Sequence, residues 1–152
     1  MKLTTKLLFM KQSRILFFAL AFLTTSFVFS QENKPTLKVN FSSKGKKGIL
    51  YIAVYDSEDN FMKVKLQKQK IDMSSGENTQ LKIGDLVVGK EYAITSFLDE
   101  NGNETLDKNA FGVPMEPYGF SNNVKGYFGP PSFEEVKVVF LLKNNPISII
   151  ID

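Results

Sequence analysis

The sequence has 152 residues, with 19 Lys and Arg, 16 Asp and Glu, and a formal net charge of +3. It contains no His and no Cys. This excludes disulfide bonds, thiol nucleophiles, imidazole bases and His-ligated zinc sites. The positive charge would fit a nucleic-acid partner, so its position along the chain decides how it is interpreted.

The first thirty residues have the pattern of an export signal. Basic residues precede the apolar run ILFFALAFLTTSFVF, and Val28 and Ser30 stand three and one positions before Gln31. This is the small-residue pattern of a cleavage site. It predicts a signal peptide over 1–30, a single mature domain over 31–152 and a periplasmic or secreted protein. The apolar run is shorter than a span of about 20 residues, so no stable membrane span is expected after cleavage.

Removal of this segment changes the charge. It carries four basic residues, Lys2, Lys6, Lys11 and Arg14, and no acidic ones, which leaves 15 basic and 16 acidic residues and a net charge of −1. Nucleic-acid binding requires a basic face, so we do not expect a nucleic-acid partner. Met10 begins a second complete signal sequence, and translation therefore starts at either Met1 or Met10.

Alternating apolar and polar residues predict strands along the mature chain. Leu37, Val39 and Phe41 share one face of the first segment, and Met62, Val64 and Leu66 share one face of the third. The seven segments are TLKVNF (36–41), GILYIAVYD (48–56), FMKVKLQKQK (61–70), NTQLKI (78–83), EYAITSFL (91–98), EVKVVFLL (135–142) and PISIIID (146–152). Short strands with turn residues between them indicate an all-β fold, an antiparallel β-sandwich of about seven strands, immunoglobulin-like or transthyretin-like.

The strand pattern is interrupted over 99–133, which holds five of the ten Gly and four of the six Pro. A loop of this length in a compact domain is usually functional or disordered. Disordered segments are poor in aromatic residues, whereas this one contains Phe111, Tyr118, Phe120, Tyr127, Phe128 and Phe133. We therefore predict one long ordered loop that packs its aromatic residues over the sandwich.

The segment DENGNETLD at 99–107 has two interpretations. Its alternating oxygen side chains and a backbone carbonyl are the ligands of a calcium loop. A helix-loop-helix site is excluded, because position six is Glu104 rather than Gly and position twelve is Ala110 rather than Glu. The candidate calcium ligands are Asp99, Asn101, Asn103, Thr105, Asp107 and, from further along the chain, Glu116. The alternative is a hairpin turn, since Asn-Gly and Asx side chains form turns without a metal.

The segments VPMEPYGFSNN and GYFGPPSF are rich in Pro, Gly, aromatic and amide residues. Such residues form surfaces that stack on sugars or peptides. They also form turns that cover a sandwich, and both interpretations remain open. The candidate partner surface is Tyr118, Phe120, Asn122, Asn123, Tyr127 and Phe128.

The run from Tyr92 to Phe133 resembles the domain of unknown function 2141 family of small exported bacterial proteins. The similar features are DENGN…LD, the run GVPMEPYGFSNN at 112–123, GPPSFE at 129–134 and the upstream GILYIAVYD. The resemblance implies an exported β-sandwich of no established activity. Leu98 stands where the family commonly has His, and Glu104 where it commonly has Gly. A catalytic or metal-binding role of that His in relatives would be missing here.

These observations favour a noncatalytic exported module with no catalytic residues and, apart from the candidate calcium ion, no cofactor. Its expected role is structural or the binding of an envelope protein or a glycan. The alternative is a glycoside hydrolase or another carbohydrate-active enzyme that uses Asp or Glu from the loop as acid and base.

Overall fold

The computed structural model describes residues 34–126, 128–144 and 146–152, and the predicted signal peptide lies outside them. Lys34–Asp152 forms one compact unit. Its described strands are β1 (Leu37–Ser42), β2 (Ile49–Tyr55), β3 (Gln67–Asp72), β4 (Thr79–Ile83), β5 (Glu91–Asp99), β6 (Tyr118–Phe120), β7 (Val138–Val139) and β8 (Ile147–Ile150). A short helix, α1 (Phe133–Val136), and 3-10 turns at Ser121–Asn123 and Leu142–Asn144 complete the described elements.

The strands form two sheets. The smaller has the order β4-β1-β8, and the larger has the order β3-β2-β5-β6 with β7 also paired to β5. The β1–β8 pair is parallel, whereas the other described pairs are antiparallel. The predicted all-β sandwich is confirmed, with one parallel pair. This pair is possible because the chain passes through the larger sheet between β1 and β8, and parallel strands need such a long connection.

The main core lies between the sheets and follows the alternation of each strand. The inward residues of β1, which are Leu37, Val39 and Phe41, are at most 2% exposed, as the sequence predicts. They pack with inward residues of β2, β5 and β8: Leu50, Ile52, Val54, Tyr92, Ile94, Leu98, Ile149 and, just after β8, Ile151. Burial of these apolar side chains is the main force that holds the sheets together.

A second apolar cluster covers part of the outer face of the larger sheet. Its buried residues are Ala53, Tyr55, Phe61, Ala93, Phe120, Phe133 and Val136. The ring of Phe61 packs edge-on against Tyr55 at 5.3 Å and against Phe133 at 5.9 Å between centroids. The cluster buries β2 on both faces from Ala53 to Tyr55, in agreement with its apolar composition.

The predicted strand FMKVKLQKQK is wrong over its first six residues. Met62, Val64 and Leu66 are 49%, 60% and 45% exposed, and β3 begins only at Gln67. The amides of Lys63 and Val64 donate to the Asn60 carbonyl and close a turn. Local alternation fails here because Phe61 packs into the second cluster, and the residues from Asn60 to Val64 form a turn around it.

The predicted strand EVKVVFLL is also wrong for most of its length. It contains the end of α1, the two-residue β7 and a 3-10 turn. Ser132 caps α1: its Oγ accepts from the Glu135 amide at 3.4 Å, and the Glu135 carboxylate accepts from the Ser132 amide at 2.8 Å. This reciprocal capping box starts a helix where the alternation predicts a strand.

Strand β6 lies inside the predicted loop and connects the two sheets. It pairs with β5, and its Tyr118 carbonyl accepts from the Asp152 amide after β8 at 3.3 Å. A Cβ at Gly119 would lie 2.4 Å from the Ile150 carbonyl oxygen. Only a residue without a side chain allows this approach, so Gly119 sets the position of β6 against the smaller sheet.

Candidate functional site: an outer-face groove and its loop

The segment 99–107 folds into a turn closed by side-chain acceptors. The buried Asp99 carboxylate accepts from the Gly102 amide at 2.7 Å through Oδ1 and from the Glu104 amide at 2.8 Å through Oδ2. The Oδ1 atoms of Asn101 and Asn103 accept from the amides two residues further on, at 3.0 and 2.9 Å. These are Asx turns, and they account for the alternating oxygen side chains.

Glu116 joins the two ends of this segment. The residue is 7% exposed, and its carboxylate accepts from the Glu100 amide at 3.0 Å through Oε1 and from the Asp107 amide at 3.1 Å through Oε2. The sequence predicts Glu116 as a calcium ligand of this loop. In the structure both carboxylate oxygens bind backbone N–H groups.

The other candidate ligands lie together on the exposed side of the turn. The Nδ2 atom of Asn101 is 2.6 Å from Asp107 Oδ2, and that of Asn103 is 3.0 Å from both Asp107 carboxylate oxygens. Thr105 Oγ1 donates to Asn103 Oδ1 at 2.9 Å. In residues 34–126, 128–144 and 146–152, no group of three or more His, Cys, Asp or Glu is arranged to hold a metal. Calcium binding stays a prediction.

The environment of Asp99 controls its charge. Burial raises the pKa of this carboxyl group, but backbone N–H groups of the turn, led by those of Glu104 and Gly102, outweigh burial and hold the pKa below its ordinary value. Hydrogen bonds that favour the ionised form lower a carboxyl pKa in this way. Asp99 is therefore a negative charge stabilised inside the protein by the loop that it holds.

The strand register places an aromatic row on the outer face of the larger sheet. Tyr51 pairs with Lys70 on one side and Phe97 on the other, and Phe97 pairs with Tyr118. The rings of Tyr51 and Phe97 stack with centroids 5.1 Å apart. Each of the three aromatic residues is only half-buried, because the second apolar cluster covers the far end of the face.

The next row has short side chains at its centre. Ala53 pairs with Lys68 and Thr95, and Thr95 pairs with Phe120. Short side chains between two rows of rings leave a depression. It belongs to a groove with a cavity volume of about 910 Å³, within the range of about 300–1,000 Å³ for ligand sites.

Two parts of the long loop form the walls of the groove. After the turn, Asp107 to Met115 folds into a small hairpin, in which Asn109 pairs with the Val113 carbonyl and the Met115 amide with the Asp107 carbonyl. Its tip carries Phe111, which is 91% exposed and lines the groove. Phe128, from the loop after β6, lines the groove and is fully exposed. The prediction that the loop packs its aromatic residues over the sandwich is therefore wrong for Phe111 and Phe128, whereas Phe120 and Phe133 are buried.

The described charges that line the groove are mainly positive. They are Lys65, Lys68, Lys70 and Lys108, with Glu104 as the one acid among the described lining residues. Glu104 lies 3.8 Å from Lys70 Nζ. Burial raises the pKa of the Tyr51 phenol, and a hydrogen bond to Glu104 and the negative charge of Glu104 raise it further.

The residues of the predicted partner surface lie in different parts of the structure. Tyr118 lines the groove, with Lys125 Nζ 5.3 Å from its ring centroid. Phe120 is 7% exposed and belongs to the second cluster, although it also lines the groove. Phe128 lies on the groove wall, and Tyr127 lies outside the described residues.

The two Asn residues of this surface bind backbone. Asn122 Nδ2 donates to the Lys137 carbonyl at 2.9 Å. Asn123 accepts from the Ile150 amide at 2.7 Å and donates to the Ser148 carbonyl at 3.1 Å. Their side chains therefore tie the chain after β6 to α1 and β8.

Tyr51, Phe97 and the lysines are groove residues that were not predicted from the sequence. Their signal lies in the faces of β2 and β5: Tyr51 and Phe97 alternate with core residues and therefore point outward. The groove itself can be identified only when the pairing of the four strands is known.

These features define an all-β protein of two packed sheets with an aromatic groove on the outer face of the larger sheet. The chain belongs to the DUF2141 family, described as an uncharacterized protein conserved in bacteria, and the family model matches residues 39–148. The match confirms the resemblance and runs from β1 to β8. No curated protein and no solved structure matches the chain. In the described part of the chain, no helix has the length and apolar character needed to cross a membrane.

The charge of Asp99 leads to a test of the loop. Asp99→Asn replaces one acceptor with an N–H₂ donor facing a backbone N–H group, and we expect a loss of about 1.5–3 kcal/mol in the free energy of unfolding at neutral pH. The folded pKa lies below the unfolded value of about 3.9. The stabilisation is therefore complete above that value and is lost as the pH falls through the folded pKa.

Urea unfolding over a series of pH values measures this effect. We expect wild type to lose more stability towards low pH than Asp99→Asn does. Asp59→Asn, which changes an exposed acid, should keep the wild-type dependence. Equal acid dependence of Asp99→Asn and wild type would contradict the role of Asp99.

Proposed function

We propose that the protein is an exported, noncatalytic module that binds a ligand in the outer-face groove. One observation carries the proposal: half-buried aromatic residues on three strands lie in a groove of about 910 Å³. Ligand sites are typically concave and mainly apolar, with a few polar groups. Export rests on the signal pattern of 1–30.

The charges of the groove favour binding over hydrolysis. A glycoside hydrolase of the usual kind needs two carboxyl groups on either side of the bond that it cleaves. Glu104 is the one acid among the described lining residues. The nearby carboxylates of Asp99 and Glu116 accept backbone N–H groups, so they are occupied in holding the loop.

The lining also distinguishes among the expected partners. Met62, Leu106, Phe111, Val113 and Phe128 line the groove together with the aromatic floor. A glycan needs many hydrogen-bond partners, whereas these side chains provide apolar contact. The groove therefore favours a ligand with an apolar body over a neutral glycan or a polar protein surface.

Binding of Nile red, a neutral apolar dye, tests the groove. We expect the dye to bind wild type and Tyr51→Ala or Phe111→Ala to weaken binding about fivefold to tenfold, since truncation of an aromatic contact costs about 1–1.4 kcal/mol. Phe111 is 91% exposed, so its substitution leaves the fold unchanged. The measurement is a fluorescence titration.

The control is Val87→Ala, which truncates a 65% exposed side chain away from the groove and should bind the dye as wild type does. Equal binding by all variants would place the dye elsewhere and contradict the proposal. A glycan array, measured in parallel, tests whether the ligand is a glycan. If wild type binds a glycan and Tyr51→Ala does not, the ligand of the groove is a sugar and the proposed apolar ligand is wrong.

Calcium binding by the loop is a second proposal, supported by the convergence of Asn101, Asn103 and Asp107. Both Asn Oδ1 atoms accept backbone N–H groups in Asx turns, so calcium binding would require the two amides to turn their oxygens from these N–H groups towards the ion. The affinity expected of such an extracellular site is about 10⁻⁴–10⁻³ M.

Thermal unfolding with millimolar calcium and with a chelator tests this second proposal. Calcium binding predicts a higher midpoint in calcium for wild type and a smaller difference for Asp107→Asn, because a ligand that binds the folded state stabilises it. Identical wild-type midpoints would reject calcium binding and leave the Asx turns as the explanation of the loop.

A further inference from the structure

We infer that the groove binds an amphipathic anion, a molecule with an acyl-like apolar body and a negatively charged head. This inference rests on the proposed function and specifies its ligand. The apolar requirement follows from the lining described above. The anionic requirement follows from the lysines that line the groove.

The charge of the groove is opposite to that of the mature chain. Four Lys and one Glu line it among the described residues, whereas residues 31–152 carry 15 basic and 16 acidic side chains. The lysines come from separate parts of the chain: the turn before β3, β3 itself and the hairpin after Asp107. Folding therefore gathers positive charge at a site in a chain that is slightly negative overall.

The ion pairing of these lysines leaves most of them available to an anionic ligand. Lys70 has Glu104 within 3.8 Å, a distance at which an exposed pair contributes little. Lys65, Lys68 and Lys108 line the groove without an ion-pair partner in the part of the chain that the structure describes. Like charges gathered near an apolar surface repel one another, and an anion bound beside them relieves this repulsion.

The lysines and the apolar row lie side by side on the sheet. Lys68 pairs with Ala53, and Lys70 pairs with Tyr51, in adjacent rows of the same sheet face. The apolar row continues from Tyr51 through Phe97 to Tyr118. A ligand that lies across the strands would therefore have its head at β3 and its apolar body over β2, β5 and β6.

Lysines on an edge strand also protect a sheet from aggregation, and β3 is an edge strand. Protection alone does not require the apolar row beside them or Lys108 on the hairpin after Asp107. Charge complementarity to an amphipathic anion accounts for both features.

Calorimetric titration with three surfactants of equal chain length tests the inference, with each kept below its micelle concentration. The probes are dodecanoate, dodecyl maltoside and dodecyltrimethylammonium, which carry an anionic, a neutral and a cationic head. We expect dodecanoate to bind about tenfold tighter than the neutral probe and the cationic probe to bind weakest. Added salt should reduce the preference for dodecanoate.

Lysine variants locate the head group. Lys68→Gln should weaken dodecanoate binding about threefold to fivefold, the range of one exposed ion pair, and Lys65→Gln/Lys68→Gln/Lys70→Gln should remove the preference over the maltoside. The control Lys82→Gln changes an exposed strand lysine of the smaller sheet and should bind as wild type does. Thermal unfolding of each variant confirms that it is folded.

The outcomes separate this inference from the proposed function. Equal affinity for dodecanoate and the maltoside, with both weakened by Phe111→Ala, would overturn the anionic head and retain the groove as a site. Absence of binding by all three probes would overturn both. Binding of vesicles that contain phosphatidylglycerol, without binding of monomeric dodecanoate, would overturn a single-molecule ligand in favour of a membrane surface.

Discussion

Two buried carboxylates, those of Asp99 and Glu116, hold the long loop to the larger sheet. Together they accept four backbone N–H groups, which belong to Glu100, Gly102, Glu104 and Asp107. A buried charge is tolerated only when such donors replace the water that it loses. Asp99 ends β5, and Glu116 lies just before β6. Their hydrogen bonds therefore return the chain to the sheet and set β6 beside β5.

The groove follows from this closure. Once β6 lies against β5, Tyr118 extends the aromatic row of Tyr51 and Phe97. The hairpin from Asp107 to Met115 is then held above the same face. At the other end of the face, the second apolar cluster fills the space with Tyr55, Phe61, Phe133 and their neighbours. One half of the outer face is a core, and the other half stays open as a site.

The sequence predicted the sandwich well because burial between two sheets has a local signature. Leu37, Val39 and Phe41 alternate, and all three are core residues. It failed at residues 61–66, where Phe61 packs against residues that are distant in sequence and breaks a convincing alternation. It also missed β6, whose three residues form a strand only through pairing with β5.

The predicted site residues include those of the loop turn but not Tyr51, Phe97 or the lysines of the groove. The spacing of DENGNETLD groups its oxygen side chains, and Glu116 is added as a downstream acid, but spacing does not show whether an oxygen faces a backbone N–H or a cation. The structure also shows the environment of the two residues that depart from the family pattern. Leu98 is a core residue, and Glu104 has φ 63°, a left-handed conformation that favours Gly. The groove itself depends on pairing across four strands, which no local pattern contains.

Amide hydrogen exchange, measured by NMR in the presence of a chelator, tests the role of the two carboxylates most directly. In wild type, we expect the amides of Glu100, Gly102, Glu104 and Asp107 to be protected, because each donates to a carboxylate that is buried. In Glu116→Ala, protection should be lost at Glu100 and Asp107 and kept at Gly102 and Glu104. Exchange of all four wild-type amides at the rate of an unstructured peptide would contradict the closure of the loop by these carboxylates.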